Sequence, residues 1–142
     1  MLLTRLPIPP TSNRFLMPAQ GRLIKTPEAR RYEQAIKLYE LRFFKEIEAI
    51  KKAFAGKQIQ IERFFIFERS RLISKKDTIK RLDTSNRIKI LDDAVSKLIG
   101  IDDCMFIKGP CEKLWCETSK DEQVIVRFSE YNLRPFKGIE AL

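Results

Sequence analysis

The sequence contains no histidine and few cysteines. The absence of histidine removes the commonest general base and the commonest zinc ligand. Any catalysis must therefore use carboxylates, lysine, or a metal ion that they hold. The cysteines Cys104, Cys111 and Cys116 are odd in number and show no C-x-x-C spacing, which argues against a disulfide framework or a zinc site. We expect buried or partly buried reduced thiols.

Long apolar runs are also missing. The run Phe64–Phe67 is far shorter than a membrane span, and the N-terminus lacks a basic-then-apolar signal pattern. We therefore expect a cytoplasmic protein with no membrane partner. With 142 residues, of which 44% are hydrophobic and 33% charged, the chain suits one globular domain over residues 1–142.

Positive charge is in excess. The chain has 28 lysine and arginine residues against 19 aspartate and glutamate residues, a formal net charge of +9. Such a surface attracts polyanions, and nucleic acid is the expected partner.

One long amphipathic helix is predicted between Thr26 and Gly56. Thr26 suits the N-cap, Pro27 suits the first helical position, and Gly56 suits the helix end. Apolar residues recur along it at steps of three and four, which predicts one buried stripe: Ala29, Tyr32, Ile36, Tyr39, Phe43, Ile47, Ile50 and Phe54.

The remaining patterns predict a small mixed sheet. The segment Gln58–Glu68 alternates, and its second half is apolar on both faces, which indicates a central strand. The other predicted strands are Leu2–Ile8, Gly21–Lys25, Met105–Lys108, Leu114–Thr118 and Val124–Phe128, with Gly109 and Pro110 as a turn. The expected fold class is α/β (α+β), with the sheet packed by the long helix and by a second helix that carries the active site.

That second helix is predicted from Thr84 to Leu98, with Gly100 at its end. A basic segment from Arg69 to Lys89 leads into it, and anions are attracted to the positive N-terminal end of a helix. Its apolar residues are Ile88, Leu91, Val95 and Leu98, and its polar residues on the opposite side are Ser85, Lys89, Asp92, Asp93 and Ser96.

Three features occur in order along the chain. Ser12-Asn13-Arg14 follows a proline-rich turn, Asp83-x-x-Asn86-x-x-Lys89 begins the second helix, and Gly100-x-Asp102-Asp103 follows it. In this combination the sequence resembles the RusA family of Holliday junction resolvases, from about Pro7 to Phe128. The resemblance implies a homodimeric endonuclease that cuts four-way DNA junctions symmetrically with Mg²⁺ or Mn²⁺ and needs no small-molecule cofactor.

The resemblance also implies roles for individual residues. Asp83, Lys89 and Asp103 match the catalytic positions, and Asp83, Asp103 and Asp102 are the expected metal ligands. Supporting roles are expected for Ser85, Asn86 and Asp93. The residues expected to contact DNA are Asn13, Arg14, Arg22, Lys76, Lys80, Arg81 and Arg87.

The departure from the family pattern is at Ser85, where the family has a second catalytic aspartate. A hydroxyl is a poorer ligand for a hard cation than a carboxylate. Two functions stay open: an active junction endonuclease in which Asp92, Asp93 or Asp102 compensates, and a protein that binds branched DNA but cuts it slowly or not at all. A third class, a single-strand or RNA binder that stacks bases on Phe64–Phe67, is the alternative from the aromatic residues alone.

The spacing of the acids adds a constraint. If a straight helix separates Asp83 from Asp103, its rise of about 1.5 Å per residue places them roughly 20 Å apart, too far to share an ion. Either the chain bends back after Gly100, or Asp103 serves the active site of a partner subunit. We favour the second alternative, because a two-fold dimer also matches a substrate that is cut at two symmetric places.

Overall fold

The central strand of the protein is β4 (Ile59–Glu68). A computed structural model describes all residues, 1–142. Every second residue of β4 is buried, including Ile59, Ile61, Phe65 and Phe67, as the alternation predicts. On one side β4 pairs antiparallel with β7 (Gln123–Glu130), which pairs antiparallel with β1 (Leu2–Leu6). On the other side it pairs in parallel with β5 (Phe106–Lys108) and β6 (Cys111–Cys116). The predicted central position is confirmed.

The predicted turn at Gly109 and Pro110 is wrong. Both β5 and β6 run along the same side of β4, so these two residues interrupt one edge of the sheet without reversing the chain. The backbone N–H of Arg63 donates to the Pro110 carbonyl over 3.0 Å, which keeps the strands in register across the interruption. A Cβ atom at Gly109 would lie 2.3 Å from Nη1 of Arg63. A side chain at this position would therefore have to displace the Arg63 guanidinium.

A separate hairpin consists of β2 (Leu16–Ala19) and β3 (Arg22–Lys25). The two turn residues, Gln20 and Gly21, have φ angles of 51° and 74°, and two positive φ angles match the twist of a tight hairpin. Of these two strands, only β3 was predicted, as Gly21–Lys25. The opening strand β1 also ends at Leu6, two residues earlier than predicted.

The predicted long helix is two helices, α1 (Pro27–Arg42) and α2 (Phe44–Phe54). Thr26 caps α1 as predicted, because its Oγ1 accepts the backbone N–H of Ala29 over 3.1 Å. The break lies at Phe43, whose φ of −108° and ψ of 28° leave the helical region. No proline or glycine marks this position. The Tyr39 hydroxyl donates to the Thr4 carbonyl of β1 over 2.7 Å, whereas α2 packs against the last helix, so the two segments cover different parts of the fold.

The last two helices are the short α3 (Arg69–Leu72) and α4 (Ser85–Ile99). Gly100 ends α4 in the left-handed region at φ 64°, as predicted. The core lies between one face of the sheet and the helices, and the other face of β4 is half-buried. Short 3-10 turns occupy Ser12–Arg14, Asp103–Met105, Ser119–Asp121 and Ile139–Ala141.

The expectation of buried thiols is wrong for two cysteines. All three thiols are free, but Cys104 and Cys111 are exposed and only Cys116 is half-buried. Cys104 follows Asp102 in a surface turn, and Cys111 begins an edge strand, so neither reaches the core. None of the helices has the length and apolar character needed to span a membrane.

Candidate active site and nucleic-acid interface

The start of α4 is built around the carboxylate of Asp83. Its Oδ1 accepts the backbone N–H of Ser85 over 2.9 Å and the Ser85 hydroxyl over 2.6 Å. Its Oδ2 accepts the side-chain amide of Asn86 over 3.3 Å. Asp83 thus satisfies a free donor of the first helical turn, as capping side chains do. Sequence reasoning had not predicted that Ser85 and Asn86 would both bind Asp83.

These contacts keep Asp83 ionised. The Ser85 hydroxyl, followed by the Ser85 backbone N–H, lowers the pKa of Asp83, and the positive charges of Lys113 and Arg81 lower it further. Hydrogen bonds to the charged form of a carboxylate have this effect. The side chain is exposed and takes part in none of the seven ion pairs of the structure. An exposed anion with uncommitted lone pairs can still bind a cation.

Lys89 and Asp93 follow one and two turns further along α4. Both are exposed, and neither forms an ion pair. They line a groove of about 720 Å³ between α1 and α4, where Tyr32 and Ile36 contribute apolar surface and Lys25, Lys37 and Lys97 contribute further positive charge. The Lys89 ammonium is therefore available to a ligand that approaches the start of α4.

Asp92 was predicted on the exposed side of α4, and this prediction is wrong. Its carboxylate is half-buried and paired with an arginine of the core. Its two oxygens accept Nε and Nη2 of Arg63 over 2.8 and 2.7 Å. The Arg63 side chain is buried and also donates to the Gly109 carbonyl over 2.7 Å. A carboxylate bound in this bidentate manner serves the fold, which argues against Asp92 as the replacement for the family aspartate at Ser85.

Asp103 lies in the short turn that follows α4. The turn Asp103–Met105 contacts α4 after the chain reverses at Gly100. Burial raises the pKa of Asp92 against the opposing effect of Arg63, and the charge of Asp103 raises it further. Asp103 is thus within electrostatic reach of the middle of the helix. Whether Asp103 completes this site or that of a partner subunit stays a prediction.

Asp102 is engaged in a local cap. Its Oδ1 accepts the backbone N–H of Cys104 over 2.9 Å, and this bond, together with the Cys104 side chain, lowers the pKa of Asp102. Like Asp103, it is exposed. None of the three expected metal ligands, Asp83, Asp102 and Asp103, takes part in an ion pair.

The carboxylates suit a metal ion only if other ligands complete its coordination. No three histidine, cysteine, aspartate or glutamate side chains come together closely enough to hold an ion. Mg²⁺ is commonly bound by one or two carboxylates together with water and substrate phosphates. The exposed, ionised Asp83 fits that second arrangement.

The residues expected to contact DNA occupy three regions. Asn13 and Arg14 lie in the turn Ser12–Arg14, which packs against α4, and Arg22 lies on the hairpin. Lys76, Lys80 and Arg81 are exposed between α3 and α4, although the Lys80 ammonium also donates to the Ser70 carbonyl over 2.7 Å.

Arg87 differs from these residues because it is half-buried. Its Nη1 donates to the Pro9 carbonyl over 2.6 Å, and its guanidinium carbon lies 5.8 Å from the centre of the buried Phe67 ring. The side chain of Arg71 contacts the same ring. Sequence reasoning missed Arg71 as a site residue; its place in the basic segment was the only available signal.

The fold and site define a class: a small basic α/β protein that presents a carboxylate, an amide and several cations at one helix start, as proteins that act on phosphodiesters do. A family model described as endodeoxyribonuclease RusA matches residues 7–127. Because the match covers most of the chain, the protein belongs to the RusA endodeoxyribonuclease family. No curated protein sequence matches the chain. Family membership implies Holliday junction resolvase activity, since the family acts on branched DNA junctions.

Proposed function

We propose that the protein is a metal-dependent, structure-selective endonuclease of the cytoplasm that resolves four-way DNA junctions by symmetric phosphodiester hydrolysis. The observation that carries this proposal is the state of Asp83, which is exposed, ionised and held in place by Ser85 and Asn86 at the positive end of α4. A phosphate that approaches this helix end meets Lys89 one turn further along.

We assign a separate role to each residue of the site. A bound Mg²⁺ or Mn²⁺ ion would supply an activated water and neutralise charge on the phosphate, with Asp83 and Asp103 as its protein ligands. Lys89 offers its ammonium to the phosphate oxygens, whose negative charge increases in the transition state. Asn86 positions Asp83 through the 3.3 Å hydrogen bond. Asp102 supports the turn that presents Asp103.

The assembly that fits a symmetric substrate is a homodimer, because a two-fold axis presents the same site twice. Whether Asp103 completes its own site or that of the partner can be tested by mixing Asp83→Asn and Asp103→Asn chains. If the site is shared between subunits, the mixture recovers about one working site in each heterodimer. If each subunit completes its own site, the mixture stays inactive.

A second function is favoured by the hydrogen bond of Ser85. Its hydroxyl donates to Asp83 over 2.6 Å, so the residue that replaces a family aspartate helps to hold Asp83 and adds no charge for a metal. Arg63 pairs with both oxygens of Asp92, which disfavours Asp92 as a source of the missing carboxylate. A protein with this site could bind a junction and cut it slowly or not at all.

One experiment separates the two functions. The protein is incubated with an end-labelled four-way junction in Mn²⁺ or in EDTA, and cleavage and gel mobility are recorded together. Paired, metal-dependent nicks support the endonuclease, whereas a shifted complex without nicks supports the binding protein. In the second case Ser85→Asp is expected to install cutting, and Ser85→Asn, which adds no charge, is the matched control. Equal binding to a junction and to linear duplex would contradict both functions.

A further inference from the structure

Three arginines from separate parts of the chain converge beside Asp83. Arg14 comes from the turn before β2, Arg71 from α3 and Arg87 from the first turn of α4. The guanidinium carbons of Arg71 and Arg87 lie 4.9 and 5.8 Å from the centre of the Phe67 ring. Both guanidinium groups therefore lie against one ring, and the turn that carries Arg14 packs against α4.

The donors of this arginine cluster, Arg14, Arg71 and Arg87, are only partly satisfied within the protein. Nη1 of Arg71 binds both oxygens of Glu122 over 2.9 and 3.1 Å. Arg87 donates from Nη1 to the Pro9 carbonyl, but its Nε is buried and has no partner. Arg14 forms no ion pair. Each arginine carries five N–H donors, so most of the fork-shaped donor surface is unused.

The cluster is also electrostatically crowded. Burial lowers the pKa of Arg87, and the like charges of Arg71 and Arg14 lower it further, while Asp83 and Glu122 oppose the change. The three cations and Asp83 therefore share one neighbourhood. Beside the buried Phe67 ring, repulsion between cations is screened less than in open water. A bound anion would relieve this repulsion.

We propose that Arg14, Arg71 and Arg87 together bind one backbone phosphate of the DNA strand, adjacent to the phosphate that is cleaved at Asp83. Guanidinium groups match phosphate oxygens with paired hydrogen bonds, and three elements of the fold converge to present them. The ligand is DNA only if the proposed function holds. The cluster would fix the position of the DNA strand along α4. A metal ion could contribute less to this positioning here, because Ser85 leaves the site with one carboxylate fewer to hold the ion.

The test measures equilibrium binding in EDTA across a salt series, with a four-way junction and a linear duplex of equal length. The variants are Arg71→Gln, Arg87→Gln and the double variant. Arg134→Gln is the matched control, because its neighbour Leu133 binds Gln58 before β4, roughly 30 Å from Phe67 at the strand rise of about 3.3 Å per residue. Each single variant is expected to bind both DNAs roughly tenfold more weakly.

The number of phosphates is read from the salt dependence. Because the three arginines share one phosphate, the slope of log affinity against log salt should fall by no more than about one in the double variant, and by less in each single variant, where the phosphate keeps two of its arginines. Arg87→Lys, which keeps the charge but loses the fork, should bind more weakly with an unchanged slope. Thermal unfolding of each variant identifies any loss that is due to folding.

Two results would overturn the proposal. A double variant whose slope falls by about two, with additive losses of affinity, would mean separate phosphate contacts. Losses no larger than those of Arg134→Gln would mean that the cluster is structural. The ratio of junction to duplex affinity tests the proposed function separately, since a backbone phosphate contact affects both DNAs equally.

Discussion

Two aspartates on or beside α4 are each held by hydrogen bonds, yet they have opposite roles. Asp92 is paired through both oxygens with the buried Arg63, which Gly109 also binds. Asp83 is exposed and receives weaker, neutral donors from Ser85 and Asn86. Both oxygens of Asp92 are neutralised by a buried cation, whereas Asp83 has no cationic partner and stays open to solvent. The difference shows that the partner and the burial of an acid, more than its place in a motif, decide whether it serves the fold or the site.

The largest effect is expected from Asp92→Asn. The change leaves the buried charge of Arg63 without its counter-ion, and breaking a buried pair in this way costs about 3–5 kcal/mol. Urea unfolding should show this loss in the free energy of unfolding. The double variant Asp92→Leu/Arg63→Met removes both charges and should be more stable than Asp92→Asn. If Asp92→Asn were as stable as the parent protein, the pair would not be structural.

A smaller loss is expected from Gly109→Ala. The new methyl group would lie 2.3 Å from Nη1 of Arg63, and this guanidinium cannot move freely because it binds Asp92 and the Gly109 carbonyl. Such overpacking costs about 1–3 kcal/mol. Urea unfolding measures the loss. A Gly109→Ala variant as stable as the parent protein would refute the close-packing explanation for Gly109.

The smallest effect is expected from Ser85→Ala, and it appears in the pH dependence. Ser85 lowers the pKa of Asp83 below its ordinary value of 3.8. The stabilisation from this cap is therefore complete above the unfolded pKa and is lost as the pH falls through the folded one. Without the hydroxyl the pKa of Asp83 should rise, so protonation begins at a higher pH.

A carbon-13 NMR titration of the Asp83 carboxyl group measures this change directly. Ser129→Ala on β7, at the opposite end of β4, is the control and should leave the titration of Asp83 unchanged. An unchanged pKa in Ser85→Ala would mean that the hydroxyl does not hold the carboxylate.

The features that were predicted correctly depend on residues close together in the chain. The alternation over Gln58–Glu68, the apolar stripe of α4 and the Thr26 cap each follow from periodicity or from a contact within one helical turn. The same holds for Asp83, Asn86 and Lys89, whose grouping at one helix start follows from their spacing. Local stereochemistry is enough to predict these.

The wrong predictions involve partners that are distant in the chain. Arg63 and Asp92 are 29 residues apart, and the path of β5 and β6 along β4 depends on a strand nearly fifty residues earlier. The break at Phe43 lacks a proline or glycine signal, because it arises where α1 and α2 pack on different neighbours. Periodicity carries no information on such contacts.

The amino-acid sequence alone predicted a basic single-domain protein and the type of most of its helices and strands. It also predicted the acid, amide and lysine at the start of α4. Folding in three dimensions determined which of the acids remain free. It paired Asp92 with Arg63, returned Asp103 toward the helix, and gathered Arg14, Arg71 and Arg87 from three elements beside Asp83. Charges interact through space, and only the tertiary packing sets the distances and the burial on which those interactions depend.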